Sequence, residues 1–174
     1  MMRSYAGLVL ALVSQYSCAA VSEWPRGIPS WYETHYFTQP VDHFNAQTTP
    51  TFRQRYLLNA TYWRGPPDPI LFYCGAESSV GDFFPHSGPV LDLARRLNAL
   101  LIIGEMRFFG ESLPFGPDGS FEHRPDRLGL LSVEQTIADD AALVEHIRHL
   151  RDAHTSPAIA IGGSLAGSLA FFLR

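Results

Sequence analysis

Three short apolar runs set the rhythm of this chain: Ile70-Leu71-Phe72-Tyr73-Cys74, Leu100-Leu101-Ile102-Ile103 and Ala158-Ile159-Ala160-Ile161. Each stops at a glycine, and none alternates with polar residues. Runs of this kind read as strands buried on both faces of a sheet. Between the first two, Val90, Leu91, Ala94 and Leu97 recur at helical spacing. Between the last two, Ile137, Ala141, Val144, Ile147 and Leu150 do the same, predicting a helix to about residue 151. Ser132 with Gln135 three positions on is a capping box at its start. Further upstream, Phe52, Gln54, Tyr56 and Leu58 alternate with Arg53 and Arg55, predicting an early, half-exposed strand over 52–58. Residues 104–130 carry Gly, Pro and an Asp118-Gly119 turn, so they are expected to form one long loop, and loops of that length are usually functional. The order strand–helix–strand–helix–strand predicts an α/β fold: a mostly parallel sheet with helices flanking both faces.

The first residues do not belong to that pattern. Arg3, the apolar stretch 5–13 and the small residues Cys18-Ala19-Ala20 predict a signal peptide over 1–20, cut after Ala20. The apolar stretch is too short to span a membrane. Residues 21–174 then form one domain portion, as the 174-residue length allows. Thirteen Lys+Arg against 17 Asp+Glu, net −4, give no footprint for nucleic acid. With 46% hydrophobic and 17% charged residues, the chain is neither disordered nor a multi-span membrane protein. Of two cysteines, Cys18 leaves with the signal and only Cys74 remains, so no disulfide scaffold is built. Asn59-Ala60-Thr61 is an N-glycosylation sequon, which with the signal is consistent with passage through the secretory pathway.

Candidate chemistry sits after the third apolar run. Ile161-Gly162-Gly163-Ser164-Leu165-Ala166-Gly167 leads from a strand through a small-residue turn into an apolar helix. That is the context of a nucleophile elbow, with Gly162 two before Ser164 and Ala166 two after, where Gly is usual. The bland alternative is a glycine-rich turn with a serine cap. In the elbow reading Ser164 is the nucleophile. The backbone N–H of Leu165 donates to the oxyanion, and Gly75, after the first buried strand, is the candidate for the second donor. A serine nucleophile needs a base and an orienting carboxylate. All seven histidines precede Ser164, whereas the fold with this elbow orders the triad Ser, Asp, His. The ten residues after Ser164 hold neither Asp nor His, so the chain is expected to be cut off after the elbow, with two catalytic groups absent. An upstream histidine as base is the minor alternative. His146 and His149, one helical turn apart, read as a solvated face rather than a metal site. Glu105, Arg107 and Glu111 either line a pocket or pair on the surface.

Several stretches together resemble the serine carboxypeptidase S28 family. They are Phe37-Thr38-Gln39-Pro40-Val41-Asp42-His43-Phe44-Asn45, Gln54-Arg55-Tyr56-Leu57-Leu58-Asn59, Pro69-Ile70-Leu71-Phe72-Tyr73, residues 105–116 ending Glu111-Ser112-Leu113-Pro114-Phe115-Gly116, residues 131–139, and Ile159-Ala160-Ile161-Gly162-Gly163-Ser164. The resemblance runs from about residue 33 to the end. It implies an α/β-hydrolase core and a serine-type exopeptidase that cleaves short peptides next to proline through an acyl-enzyme on Ser164. It implies no metal or organic cofactor, short proline-containing peptides as partners, and an Asp and a His beyond Arg174. The chain departs from the family's wording at Ala76-Glu77-Ser78 (Asn-Glu-Gly in the family), at Met106, Phe108 and Phe109 (His, Tyr and Tyr) and at Leu165 (Tyr). Each departure removes a polar group near the expected site. A second reading is therefore a non-catalytic secreted homologue that binds peptides or a protein partner. A lipase or esterase would keep the elbow but leave the other stretches unexplained.

Overall fold

The three apolar runs pair side by side. In the computed structural model, which describes residues 27–47, 50–82, 88–117 and 125–173, they are β3 (Ile70–Tyr73), β4 (Leu100–Gly104) and β5 (Ala158–Ile161). β3 is parallel to both others, with Ile70 opposite Leu100 on one side and Ala158 on the other. Two further strands, β1 (Glu33–Pro40) and β2 (Thr51–Asn59), complete a five-stranded sheet in the order β1-β2-β4-β3-β5. β2 is antiparallel to both β1 and β4. The sheet is thus mixed, and the expectation of a mostly parallel one is corrected: a short β1–β2 connection permits only an antiparallel pair.

Helices cover both faces, as expected. α1 (Gly88–Leu97) packs Val90 and Ala94 on Leu57, Leu71, Leu101 and Ile103. α2 (Val133–Leu150) and α3 (Leu165–Phe172) lie on the other face, where Leu143, Val144, Ile147, Ala166 and Leu169 meet Leu58, Phe72, Leu100 and Ile102. The period-two alternation of β3 and β4 assigns one apolar set to each face. That is why the runs show no polar gaps.

Three local expectations change. β2 is buried from Gln54 to Asn59, not half-exposed, because Tyr56 and Leu58 pack in the core on the α2 side and Leu57 in the core on the α1 side. β5 is not a buried strand: it is the sheet's edge, with Ala158 and Ile159 exposed. Residues 104–130 are not all loop, since Pro125–Leu130 forms a 3-10 helix. The capping box is half made. Ser132 Oγ accepts the Gln135 N–H at 3.3 Å, but the Gln135 side chain reaches across to the β1–β2 connection. There it donates to Asp42 Oδ1 at 2.5 Å and accepts the His43 N–H at 2.9 Å.

Buried charge ties these pieces together. Arg107 and Asp139, both fully buried, form a two-pronged ion pair with N–O distances of 2.6 and 2.9 Å. Arg107 also donates to the carbonyls of Val41 and Leu130, each at 2.9 Å. His43 Nε2 meets Asp139 Oδ1 at 2.7 Å. The Glu105 carboxylate, equally buried, accepts from Val80 N–H, Glu111 N–H, Ser112 Oγ and Arg55. Arg55 reaches Glu111 as well, and Tyr36 donates to Glu111. Glu105 and Arg107 therefore neither line a pocket nor pair on the surface. They pair inside the protein, and only Glu111 is exposed.

Arg107→Ala would leave the buried Asp139 carboxylate with His43 as its remaining side-chain partner, and breaking one side of a buried pair costs about 3–5 kcal/mol. Urea unfolding should show that loss, and adding Asp139→Asn should recover part of it. An unchanged midpoint for Arg107→Ala would contradict the role assigned to the pair.

Candidate functional site

In open α/β sheets, ligands bind beyond the carboxyl ends of the strands, where the strand order reverses. Here β3 is followed by β4 on one side, and β4 by β5 on the other, with α1 and α2 on opposite faces. The reversal lies between β3 and β5. Two segments leave the sheet there: Gly75 onward, two residues past Tyr73, and Ser164, three residues past Ile161, the partner of Tyr73.

Ser164 joins β5 to α3 with φ 55° and ψ −127°. A non-glycine residue with positive φ is strained by about 1–3 kcal/mol and persists only where its surroundings over-determine it. The surroundings are visible. A Cβ on Gly162 would run into the carbonyl of Ala166, so β5 and the first turn of α3 touch backbone to backbone. Gly167 N–H then donates to the Ser164 carbonyl at 3.1 Å, closing that turn. Ala166, in the position where glycine is usual, is fully buried, so its methyl is absorbed by the core. The Ser164 side chain is exposed and makes no capping bond. The hydroxyl is thus presented outward at the tip of a tight strand–turn–helix, with the first N–H groups of α3 beside it. Leu165 supplies the first of these.

Gly75 is buried and lies against the turn after β4, its missing Cβ 2.5 Å from the Met106 nitrogen. Glycine is required there by that close approach. One residue at this site went unnoticed in the sequence. Tyr73, read only as part of an apolar run, brings its hydroxyl to the elbow, 3.7 Å from the place where a Cβ on Gly163 would sit. An apolar run ending in tyrosine was the available signal, since a half-buried phenol seeks a partner.

The described histidines are engaged elsewhere. His43 pairs with Asp139 next to β1, four strand spacings or about 19 Å across the sheet from β5. His35 stacks on Tyr56, His146 on Phe37, and His149 packs edge-on against His154. His86 and His123 lie outside the described residues. Among the described residues no cluster of three His, Cys, Asp or Glu side chains has metal-binding geometry. The signal peptide over 1–20 and Cys18 also lie outside the description. Asn59 is 4% exposed, and its Oδ1 accepts the Thr61 N–H at 2.8 Å. Its side chain borders an open groove shared with Trp31, Thr61, Tyr62 and Leu91.

A second unusual group lies behind the site. Asp140, adjacent to Asp139 on α2, is buried, and its Oδ2 has no hydrogen-bond partner among the described residues. Burial, and then the charge of Asp139, push its carboxyl well above the usual range. A hydrogen bond from the Cys74 thiol pulls it only partly back. Burial likewise pushes the Cys74 thiol up, so this cysteine is a free, inert core residue.

The family model for serine carboxypeptidase S28 matches residues 39–174. The chain is 44% identical over 144 residues to lysosomal Pro-X carboxypeptidase of Homo sapiens, covering 82% of this chain and 29% of that protein. It is 37% identical over 145 residues to prolyl carboxy peptidase like protein 5 of Caenorhabditis elegans, covering 82% and 28%. Against the thymus-specific serine protease of Mus musculus the identity is 36% over 154 residues, covering 86% and 28%. The chain thus spans under a third of the length of these relatives. Among the described residues no helix is long and apolar enough to cross a membrane.

Two outcomes follow from this geometry. Ser164→Gly should be more stable than Ser164→Ala by about 1 kcal/mol in chemical denaturation, because only glycine relieves the positive φ. Equal stability would mean that the turn is unstrained. Asp140 holds a proton in the folded protein that the unfolded chain gives up near pH 4. Stability from this group is therefore complete below about pH 4 and falls as pH rises toward the elevated folded value, by up to about 1.4 kcal/mol per pH unit. Thermal unfolding from pH 4 to 8 should show this decline, and Asp140→Asn should flatten it. A parallel decline in the variant would assign the effect to other groups.

Proposed function

The chain belongs to the serine carboxypeptidase S28 family, and from that premise we propose that it is the nucleophile-bearing part of a serine exopeptidase that cleaves short peptides next to proline. The observation that carries this reading is Ser164 at φ 55° between β5 and α3, at the switch point of the sheet. Ser164 Oγ attacks the scissile carbonyl as a base takes its proton. The carbonyl oxygen becomes an oxyanion held by the Leu165 N–H, with a donor from the Gly75 segment as its second support. Collapse expels the leaving amine, which takes up the proton, and leaves an acyl-enzyme on Ser164. Water then releases the acid and restores the hydroxyl. The base and its orienting carboxylate come from the part of the protein that the longer relatives carry and this chain does not span. The same reading takes residues 1–20 as an export signal, places the protein in the secretory or lysosomal pathway, and puts a glycan on Asn59 through the groove that its side chain borders.

The 174-residue chain alone should not turn over peptides at a useful rate. A neutral serine hydroxyl is a poor nucleophile without a base, and triad loss leaves only the roughly 10³–10⁴-fold that binding and the oxyanion site provide. A full-length form should label at Ser164 with a fluorophosphonate and release residues from a short proline-containing peptide. Ser164→Ala should abolish both. Robust Ser164-dependent turnover by the 174-residue chain would overturn the assignment of the base. A full-length form inert to the probe would instead support a non-catalytic peptide-binding homologue.

A further inference from the structure

The second oxyanion donor has to come from a stretch of chain with no regular structure of its own. Residues 74–81 leave the sheet at the end of β3, the strand paired with β5, and belong to no helix or strand. The near end of this stretch is fixed by backbone. The Cys74 N–H donates to the Ile161 carbonyl at 3.0 Å, and Gly75 lies against the backbone of Gly104, Glu105 and Met106. The far end is fixed by a side chain. The Val80 N–H donates to Glu105 Oε1 at 2.9 Å. The Ser79 hydroxyl accepts from Arg55 at 2.8 Å, and the same Arg55 nitrogen donates to Glu105 Oε1 at 2.5 Å. The Glu105 side chain is fully buried, and the turn after β4 is shaped around it. Glu105 Oε2 accepts the Glu111 N–H at 2.9 Å and the Ser112 hydroxyl at 2.8 Å. Gly110, at φ 54°, gives the carboxylate its room, since a Cβ there would stand 2.0 Å from Glu105 Oε1.

We propose that Glu105 is a positioning residue for the oxyanion site: by accepting the Val80 N–H, and by holding Arg55 against Ser79, its carboxylate fixes the 75–80 segment and the donor that this segment offers to the oxyanion. This rests on the reading of Ser164 as the nucleophile and of the Gly75 segment as the second support. A carboxylate offers about four acceptor sites, and here each is taken. The segment therefore cannot shift without leaving a buried polar group unpaired. A donor held in place before charge develops is worth about a hundredfold to a thousandfold in kcat. Displacing a reacting group by about 1 Å already costs about a hundredfold.

Three variants of the full-length form test this. Glu105→Met keeps the length of the side chain and removes both acceptor oxygens. Glu105→Gln keeps one oxygen for the Val80 N–H. Ser79→Ala cuts only the link to Arg55 and leaves the buried carboxylate in place. Amide exchange across 76–81 should be at least about tenfold faster in Glu105→Met and measurably faster in Ser79→Ala, while Ile102 and Leu169 keep their protection and report an intact core. On a short proline-containing peptide, kcat should fall about tenfold to a hundredfold in Glu105→Met and about threefold to tenfold in Ser79→Ala, with KM unchanged in both. Glu105→Gln should recover most of the loss seen in Glu105→Met. Unchanged exchange across 76–81 overturns the anchor. Faster exchange with unchanged kcat overturns the positioning role, as does a change confined to KM or a Glu105→Gln no better than Glu105→Met. Should Glu105→Met lose core protection, Ser79→Ala decides on the same two readouts. A full-length wild-type form without Ser164-dependent turnover overturns the hydrolase reading and with it the positioning role, while the exchange result still decides whether the carboxylate holds the segment.

Discussion

β3 is bracketed by two parallel neighbours, and almost everything else in the molecule follows from that. A parallel pair needs a crossover: the one from β3 to β4 carries α1 on one face, and the one from β4 back past β3 to β5 carries α2 on the other. The carboxyl ends of β3 and β5 are then adjacent. Gly75 and Ser164 emerge there from neighbouring strands. The local chemistry of the turn is fitted to this frame. Gly162 permits the contact with Ala166, and the hydroxyl of Ser164 is left facing outward because the strained turn gives it no cap to make.

The buried charged residues serve the frame. Arg107 binds Asp139 on α2 and carbonyls on the β1–β2 connection and the 3-10 helix, so one guanidinium joins three segments far apart in sequence. Glu105 gathers the turn after β4 in the same way. A buried pair of this kind contributes little net stability compared with apolar packing, but it penalises arrangements that leave either partner alone. Its value here lies in fixing where the loops at the carboxyl end of the sheet go. Asp140 is the exception. It is equally buried, but has a thiol for a neighbour instead of a cation, so it is tolerated as the neutral acid.

The parts of this architecture that depend on local pattern were legible in the sequence. The three apolar runs became β3, β4 and β5, the helical periodicities became α1 and α2, and the Gly-Gly-Ser turn became the strand–turn–helix around Ser164. What was not legible depends on neighbours distant in sequence. β1 escaped because its inward residues, His35, Phe37 and Gln39, are mostly polar or aromatic and do not mark a face. β2 looked half-exposed because Arg55 is charged, and only the structure shows that charge matched by Glu105 and Glu111. β5 has the composition of a central strand, yet it forms the edge of the sheet among the described residues. At the candidate site, the strand–turn–helix around Ser164 and Leu165 was readable from local context, whereas Tyr73, whose hydroxyl comes near Gly163, was hidden inside an apolar run.

The edge position of β5 bears directly on how firmly the elbow is held. The strain at Ser164, roughly 1–3 kcal/mol, must be offset by the packing of a helix only eight residues long. Of α3, Ala166 and Leu169 are buried, while Phe171 and Phe172 are exposed at 60% and 58%. Burying one leucine is worth about 1.5–3 kcal/mol, so the turn and the helix that holds it are close to balance. Beside them a groove of about 480 Å³, lined by Phe72, Val144, Ala160, Ala170 and Leu173, remains open between α2, α3 and β5. The close backbone contact between Gly162 and Ala166 does not depend on that edge, and it is what joins β5 to the first turn of α3.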